Sequence, residues 1–131
     1  MIELPEQLRG VFFDFIWDTR KSWLLPTEAS VVPFDQLTWL LDLPVWTTVP
    51  GEPRFDLAPY TVLEQPERFP QRWQRILAVD SSYPLEMFRN DRGQWVILDG
   101  YHRLARHQVE AVRYVMVRLH PDQYKARIFR D

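Results

Sequence analysis

Apolar positions along the chain repeat with two different periods, and each change of period marks an element boundary. In residues 10–17, Val11, Phe13, Phe15 and Trp17 alternate with other positions, with Asp14 and Asp18 on the opposite face. That is the two-residue period of a half-buried strand. Residues 30–34, Ser-Val-Val-Pro-Phe, predict a second, short strand, and Pro33 pushes it to a sheet edge because proline has no amide to donate. Asp35 is placed to cap a helical turn carrying Leu37, Trp39, Leu40 and Leu41, which Pro44 closes. Residues 47–61 hold Pro50, Gly51, Pro53 and Pro59 and read as irregular loop.

A helical period takes over in residues 66–79. Phe69, Trp73, Ile76, Leu77 and Val79 form one stripe, while Arg68, Gln71, Arg72, Gln74 and Arg75 fall mostly outside it. Pro66 and Glu67 suit a first turn, and Pro70 moves the regular helix a few residues later. A turn at 81–84, a strand at 85–89, a hairpin turn at 90–93 and a returning strand at 94–98 follow. A helix then runs from Asp99 to residue 109. The last strand spans 112–119, with Val115 and Val117 on one face and Tyr114 and Met116 on the other. His120-Pro121-Asp122 breaks it, and residues 123–131 read as a short helix or an added strand. Strand, helix, hairpin, helix, strand predicts a compact mixed α+β domain.

Composition narrows the function classes. A chain of 131 residues that is 46% hydrophobic and 26% charged is expected to form one globular domain. A net charge of -2 argues against a general nucleic-acid binder, while leaving room for a local basic patch. The absence of cysteine excludes disulfides, thiolate catalysis and cysteine-based zinc sites. The first residues lack a basic region followed by an apolar core, and no apolar run nears the roughly 20 residues of a membrane span. A cytoplasmic protein with no membrane partner is the expectation. Eleven prolines imply short elements joined by extended connections. The tryptophans at 39, 46, 73 and 95 are expected in the core or in a pocket wall.

The chemistry concentrates at residues 95–107, Trp-Val-Ile-Leu-Asp-Gly-Tyr-His-Arg-Leu-Ala-Arg-His. A strand stopping at Asp99-Gly100 and a helix leaving at once puts free amides at a positive helix end. Gly100 allows close approach to the backbone, and His102 and Arg103 add donors, which together suit a phosphate or carboxylate. Asp99 has two readings, a helix cap, or a metal ligand or base beside a bound phosphate. His102, tunable near neutral pH, suits a proton-linked phosphate contact, and Arg103 can grip two phosphate oxygens. Arg106 shares a face with His102, and Arg103 shares one with His107, so either pair extends a basic rim or is solvated surface. His102 and His107 lie five apart, which is not a zinc-pair spacing, so no metal site is expected from the histidines. Asp35 and Asp42 are candidates to share a magnesium ion with a phosphate, with capping the stronger reading for Asp35.

Tyr83-Pro84-Leu85-Glu86-Met87, Asn90-Asp91-Arg92-Gly93 and Ile97-Leu98-Asp99-Gly100-Tyr101-His102-Arg103-Leu104-Ala105 together resemble the ParB/sulfiredoxin superfamily. The resemblance spans residues 28–120. It leaves residues 1–27 as an N-terminal extension, expected as a strand packed on or beside the domain, and residues 121–131 as a tail. It implies a ParB/sulfiredoxin-like α+β fold, and a nucleotide such as ATP or CTP with magnesium, bound through Gly100, Tyr101, His102, Arg103 and Arg106. Asp99 and His102 would be the catalytic pair of any phosphotransferase or nucleotide hydrolase. Sulfiredoxin carries a cysteine in the Gly-Cys-His-Arg form of the motif, where this chain has Tyr101, so sulfiredoxin chemistry is excluded. Partition proteins carry Gly-Glu-Arg-Arg there, together with further domains. The free-serine kinases carry Asp-Gly-His-His-Arg, nearer to this chain, and need a glutamate for which Glu28, Glu64 and Glu86 qualify by type alone. Two alternatives remain. One is a nucleic-acid-binding domain using Arg68, Arg72, Arg75, Arg103, Arg106 and Arg113. The other is an interaction module or homodimer whose aromatic N-terminal strand adds to a partner sheet.

Overall fold

The computed structural model of the chain describes residues 4–13, 15–49 and 54–130. Its centre is a four-stranded mixed sheet of β1 (Ser30–Pro33), β2 (Leu85–Arg89), β3 (Trp95–Asp99) and β4 (Tyr114–Leu119), in the order β1-β4-β2-β3. The β2–β3 and β1–β4 pairs are antiparallel, and β2–β4 is parallel. Pro33 does lie on an edge strand. In β4, Val115 and Val117 are buried while Tyr114 and Met116 are exposed, as their alternation predicts. The helices are α1 (Thr19–Trp23), α2 (Pro59–Glu64), α3 (Pro70–Ala78) and α4 (Tyr101–Val109). Among the described residues, no helix is long and apolar enough to cross a membrane.

Met87 and Phe88 are neighbours in β2, so their side chains leave opposite faces of the sheet, and they belong to different apolar clusters. Met87 joins the main core with Leu40, Leu41, Val62, Ile76 and Leu104, where the helices cover the sheet. Phe88 joins a smaller cluster with Leu25, Leu98 and Ile128.

The strand expected at 10–17 does not form, and Asp14 lies outside the described residues. Its alternating aromatics still converge, since Phe13, Phe15 and Trp17 pack on the Phe88 cluster and Phe13 meets Phe88 edge-on at 6.3 Å. The partner backbone is the C-terminal tail, wound as a 3-10 helix over Asp122–Ile128. It therefore offers one bridge, Trp17 with Phe129, instead of a ladder. Among its described residues, the segment packs on its own chain's Phe88 cluster and C-terminal tail. Asp35 is not a cap. It sits inside a 3-10 turn, and Thr38 Oγ1 donates to its carbonyl. The loop at 47–61 ends earlier than expected because Pro59, with its φ already helical, opens α2. Leu77, expected in the buried stripe of α3, is exposed.

A buried polar network joins the sheet to residues 22–27. Glu86 and Arg118 are register partners across β2 and β4, and Arg118 Nη1 lies 2.5 Å from Glu86 Oε1. Arg118 also donates to three carbonyls, from Nε to Thr27 (2.9 Å), from Nη1 to Ser22 (3.3 Å) and from Nη2 to Leu25. His120 is fully buried, with Nε2 at 3.1 Å from Glu86 Oε1 and Nδ1 at 2.7 Å from Thr27 Oγ1. Removing one member strands the others. Arg118→Leu is expected to lower the free energy of urea unfolding by about 3–5 kcal/mol, because it leaves a buried carboxylate and three carbonyls short of a donor. Adding Glu86→Leu to that variant should recover part of the loss, and a double variant no more stable than Arg118→Leu would show that the pair is not what matters.

Candidate functional site

The site is built where β3 turns into α4. Gly100 has φ +130°, and a Cβ there would come within 2.6 Å of Leu85 Cδ2, so both backbone and space require glycine. Gly100 is also the N-cap of α4, and among the described residues no side chain caps the first turn. The first helical bond runs from the Leu104 amide to the Gly100 carbonyl at 2.8 Å. The amides of Tyr101, His102 and Arg103 therefore have no partner within the helix.

Asp99, the expected cap, does something else. Its Oδ2 lies 2.7 Å from Arg103 Nη2 and accepts from the Trp23 indole N–H at 3.1 Å. Arg103 Nη1 donates to the Pro84 carbonyl at 2.7 Å. The arginine fork expected to grip phosphate is closed on the protein's own carboxylate and carbonyl.

The turn opens into a cleft of about 910 Å³. Trp23 of α1 and Arg75 of α3 stand on its sides, together with the connection carrying Asp80, Tyr83 and Pro84. Glu86 and Arg118 also line it, with residues 99–103. Of the motif residues, Gly100, Tyr101, His102 and Arg103 line the cleft with Asp99. Arg106 does not. It donates to the Leu77 carbonyl at 2.9 Å and lies 3.5 Å from Glu110, which ties α4 to the end of α3. Glu28 and Glu64, and the magnesium candidates Asp35 and Asp42, are exposed and lie outside the cleft.

Trp23 and Tyr83 carry the site's exposed rings, 56% and 62% accessible. Sequence reasoning missed both, because Trp23 fell in the extension and Tyr83 in a turn. Two cation–carboxylate pairs, Arg103 with Asp99 and Arg118 with Glu86, neutralise each other. Asp80 accepts from the amide and hydroxyl of Ser82, and these bonds hold its carboxyl below the usual range. The Arg75 guanidinium makes no hydrogen bond or ion pair among the described residues.

His102 is not poised near neutral pH. Its ring stacks on Trp46 at 4.5 Å, and Arg72 Nη1 approaches its Nε2 at 3.4 Å. Burial first, then Arg75 and Arg72, push its pKa down to about 4, so the imidazole is neutral. Tyr101 places its hydroxyl where no hydrogen-bond partner reaches it, and burial raises the phenol pKa. Trp39, Trp73 and Trp95 pack against the main core, and Trp46 is buried within it.

Among the described residues, no group of three or more histidine, aspartate or glutamate side chains is placed to hold a metal ion. A search of family models, of curated proteins and of solved structures found no match to this chain.

The depressed histidine sets a pH dependence. The folded value is about 4 and the unfolded value about 6.5, so the unfolded chain binds the extra proton between them. Stability from this group is complete above pH 6.5 and is lost as pH falls toward 4. His107, also lowered chiefly by burial, acts in the same direction. Urea midpoints should fall across that window, and His102→Gln should flatten the slope. An unchanged slope in that variant would show that His102 binds its proton equally in the folded and the unfolded chain.

Proposed function

We propose that the cleft binds a nucleotide, and that the chain is a ParB/sulfiredoxin-type domain without sulfiredoxin chemistry. The observation that carries this reading is the uncapped start of α4, which opens at Gly100 into a cleft whose mouth holds two exposed aromatic rings. Free helix amides suit phosphate oxygens, and a flat base suits the rings of Trp23 and Tyr83. The cleft volume of about 910 Å³ is in the range of small-molecule sites. What supports the family reading is the motif itself, with Asp99 to Arg103 lying between β3 and α4.

The geometry redistributes the expected roles. Phosphate contact falls to the amides of residues 101–103 and to Arg75, because Arg103 is engaged with Asp99 and Pro84. His102, being neutral, offers a hydrogen bond and no charge. The carboxylates that line the cleft do not fit a protein-held magnesium ion, since Asp99 and Glu86 are each ion-paired and Asp80 is turned to the Ser82 amide and hydroxyl. Magnesium would come with the phosphates of ATP or CTP. The same pairing favours binding over turnover. Asp99 can act as a base only by giving up Arg103.

Calorimetric titration of ATP and CTP, with magnesium, tests the reading. The parent chain is expected to bind one of them. Trp23→Ala and Tyr83→Ala should each weaken binding about tenfold, the loss of roughly 1–3 kcal/mol that a base stack contributes. Tyr83 is largely exposed, so Tyr83→Ala should keep the parent's unfolding free energy to within about 0.5 kcal/mol, while Trp23→Ala also loses the bond to Asp99 and should cost about 1–2 kcal/mol. No binding by the parent, or full binding by both variants, overturns the proposal.

A further inference from the structure

Beside the cleft, on the other side of Arg75, lies a second pocket of about 430 Å³. Arg68, Arg72 and Arg75 of the α3 region face it, with Gln71 and the backbone turn of Thr47 and Thr48. Arg72 and Arg75 are three apart on α3 and share a face, and Arg68 reaches the same pocket from the 3-10 turn just before the helix. Among the described residues, no carboxylate lines the pocket. The nearby carboxylate of Asp56 is turned to the Thr48 amide and hydroxyl, at 2.7 Å each.

None of the three cations has an acid partner among the described residues. Arg68 donates to Gln65 Oε1 at 2.8 Å. Arg72 lies over the Trp46 ring with its Cζ 4.9 Å from the centroid, and its Nη1 approaches His102. Arg75 has no side-chain partner among the described residues. The crowding leaves a mark on its neighbours. Arg72 is held below the usual guanidinium value by burial first and then by Arg75, and both arginines help to keep His102 neutral. Positive charge gathered in a concave pocket without a compensating acid is unfavourable until an anion arrives.

We propose that this pocket is a second anion site, built to take the phosphate groups of a small polyphosphate ligand. Arg72 is already held in place by Trp46 and His102, while Arg68 and Arg75 stand at the surface as adjustable donors. Guanidinium groups suit phosphate oxygens because each offers two parallel donors. A small ligand is favoured over a nucleic-acid backbone because the cations line a bounded pocket and the chain carries a net charge of -2. Arg75 lines both pocket and cleft, so phosphates in one lie next to those in the other. The inference does not depend on what occupies the cleft.

The test uses inorganic tripolyphosphate, titrated into the full chain at low ionic strength and followed by calorimetry and backbone amide NMR shifts. Shifts at residues 47–48 and 68–75 are expected. Arg68→Ala and Arg75→Ala should each bind about tenfold more weakly, as expected for loss of a charge-assisted hydrogen bond. Arg113→Ala, an exposed arginine outside the pocket with the same change in charge, should bind as the parent does. In Arg75→Ala the His102 ring should titrate at a higher pH, whether or not ligand is present. Shifts confined to residues 99–103, equal losses in all three variants, or no binding would overturn the second site. The first of these leaves the nucleotide reading standing, whereas tripolyphosphate binding at 68–75 without any ATP or CTP binding overturns that reading alone. Tighter binding of a single-stranded oligonucleotide through the same arginines would overturn the small-ligand assignment.

Discussion

The Glu86–Arg118 pair sits where the fold and the site meet. It joins β2 to β4 at register positions in the parallel part of the sheet. A buried ion pair is not in itself a large source of stability, because desolvation offsets much of the attraction. Its consequence here is positional. Once Glu86 holds Arg118, the rest of the guanidinium can reach the carbonyls of Ser22, Leu25 and Thr27. His120, packed on Phe88 at 5.0 Å, completes the network through Glu86 and Thr27. Residues 22–27 are thus fastened to the sheet by polar contacts to their own backbone.

That fastening continues into the cleft. Trp23 lies between two of the anchored carbonyls, and its indole reaches Asp99. Asp99 holds Arg103, and Arg103 holds the Pro84 carbonyl beside Tyr83. One line of hydrogen bonds therefore runs from one side of the cleft, across the start of α4, to the other. It leaves the helix amides uncovered and both aromatic rings open to solvent. The arrangement explains how a motif rich in donors presents mainly backbone to a ligand.

The cations sort into two groups by their partners. Arg103, Arg106 and Arg118 serve the fold, each bonded to a carbonyl and an acid. Arg72 and Arg75 of α3, and Arg68 of the 3-10 turn just before it, have no acid among the described residues and line one pocket. Sequence could not separate the groups, because arginines on an amphipathic helix and at a turn look alike until their neighbours are known. The neutral state of His102 follows first from its burial, where its ring stacks on Trp46, and then from Arg75 and Arg72, contacts between residues far apart in the chain.

Local pattern alone determined the hairpin of β2 and β3, the extent of α4, the edge position of β1, the burial alternation in β4 and the glycine at the strand–helix turn. Each depends on residues within a turn or two of one another, where periodicity, proline and glycine dominate. Tertiary structure decided the rest. The aromatic run at 10–17 had the period of a strand but met a tail with no matching ladder, so packing replaced pairing. Asp99 had the position of a cap but met Arg103 and Trp23, which together hold it more strongly than a helix amide would. Trp23 joined the cleft only because Arg118 draws its segment onto the sheet. A carboxylate, a guanidinium or an indole takes its role from the partner that folding brings to it, and that partner is not written in the neighbouring sequence.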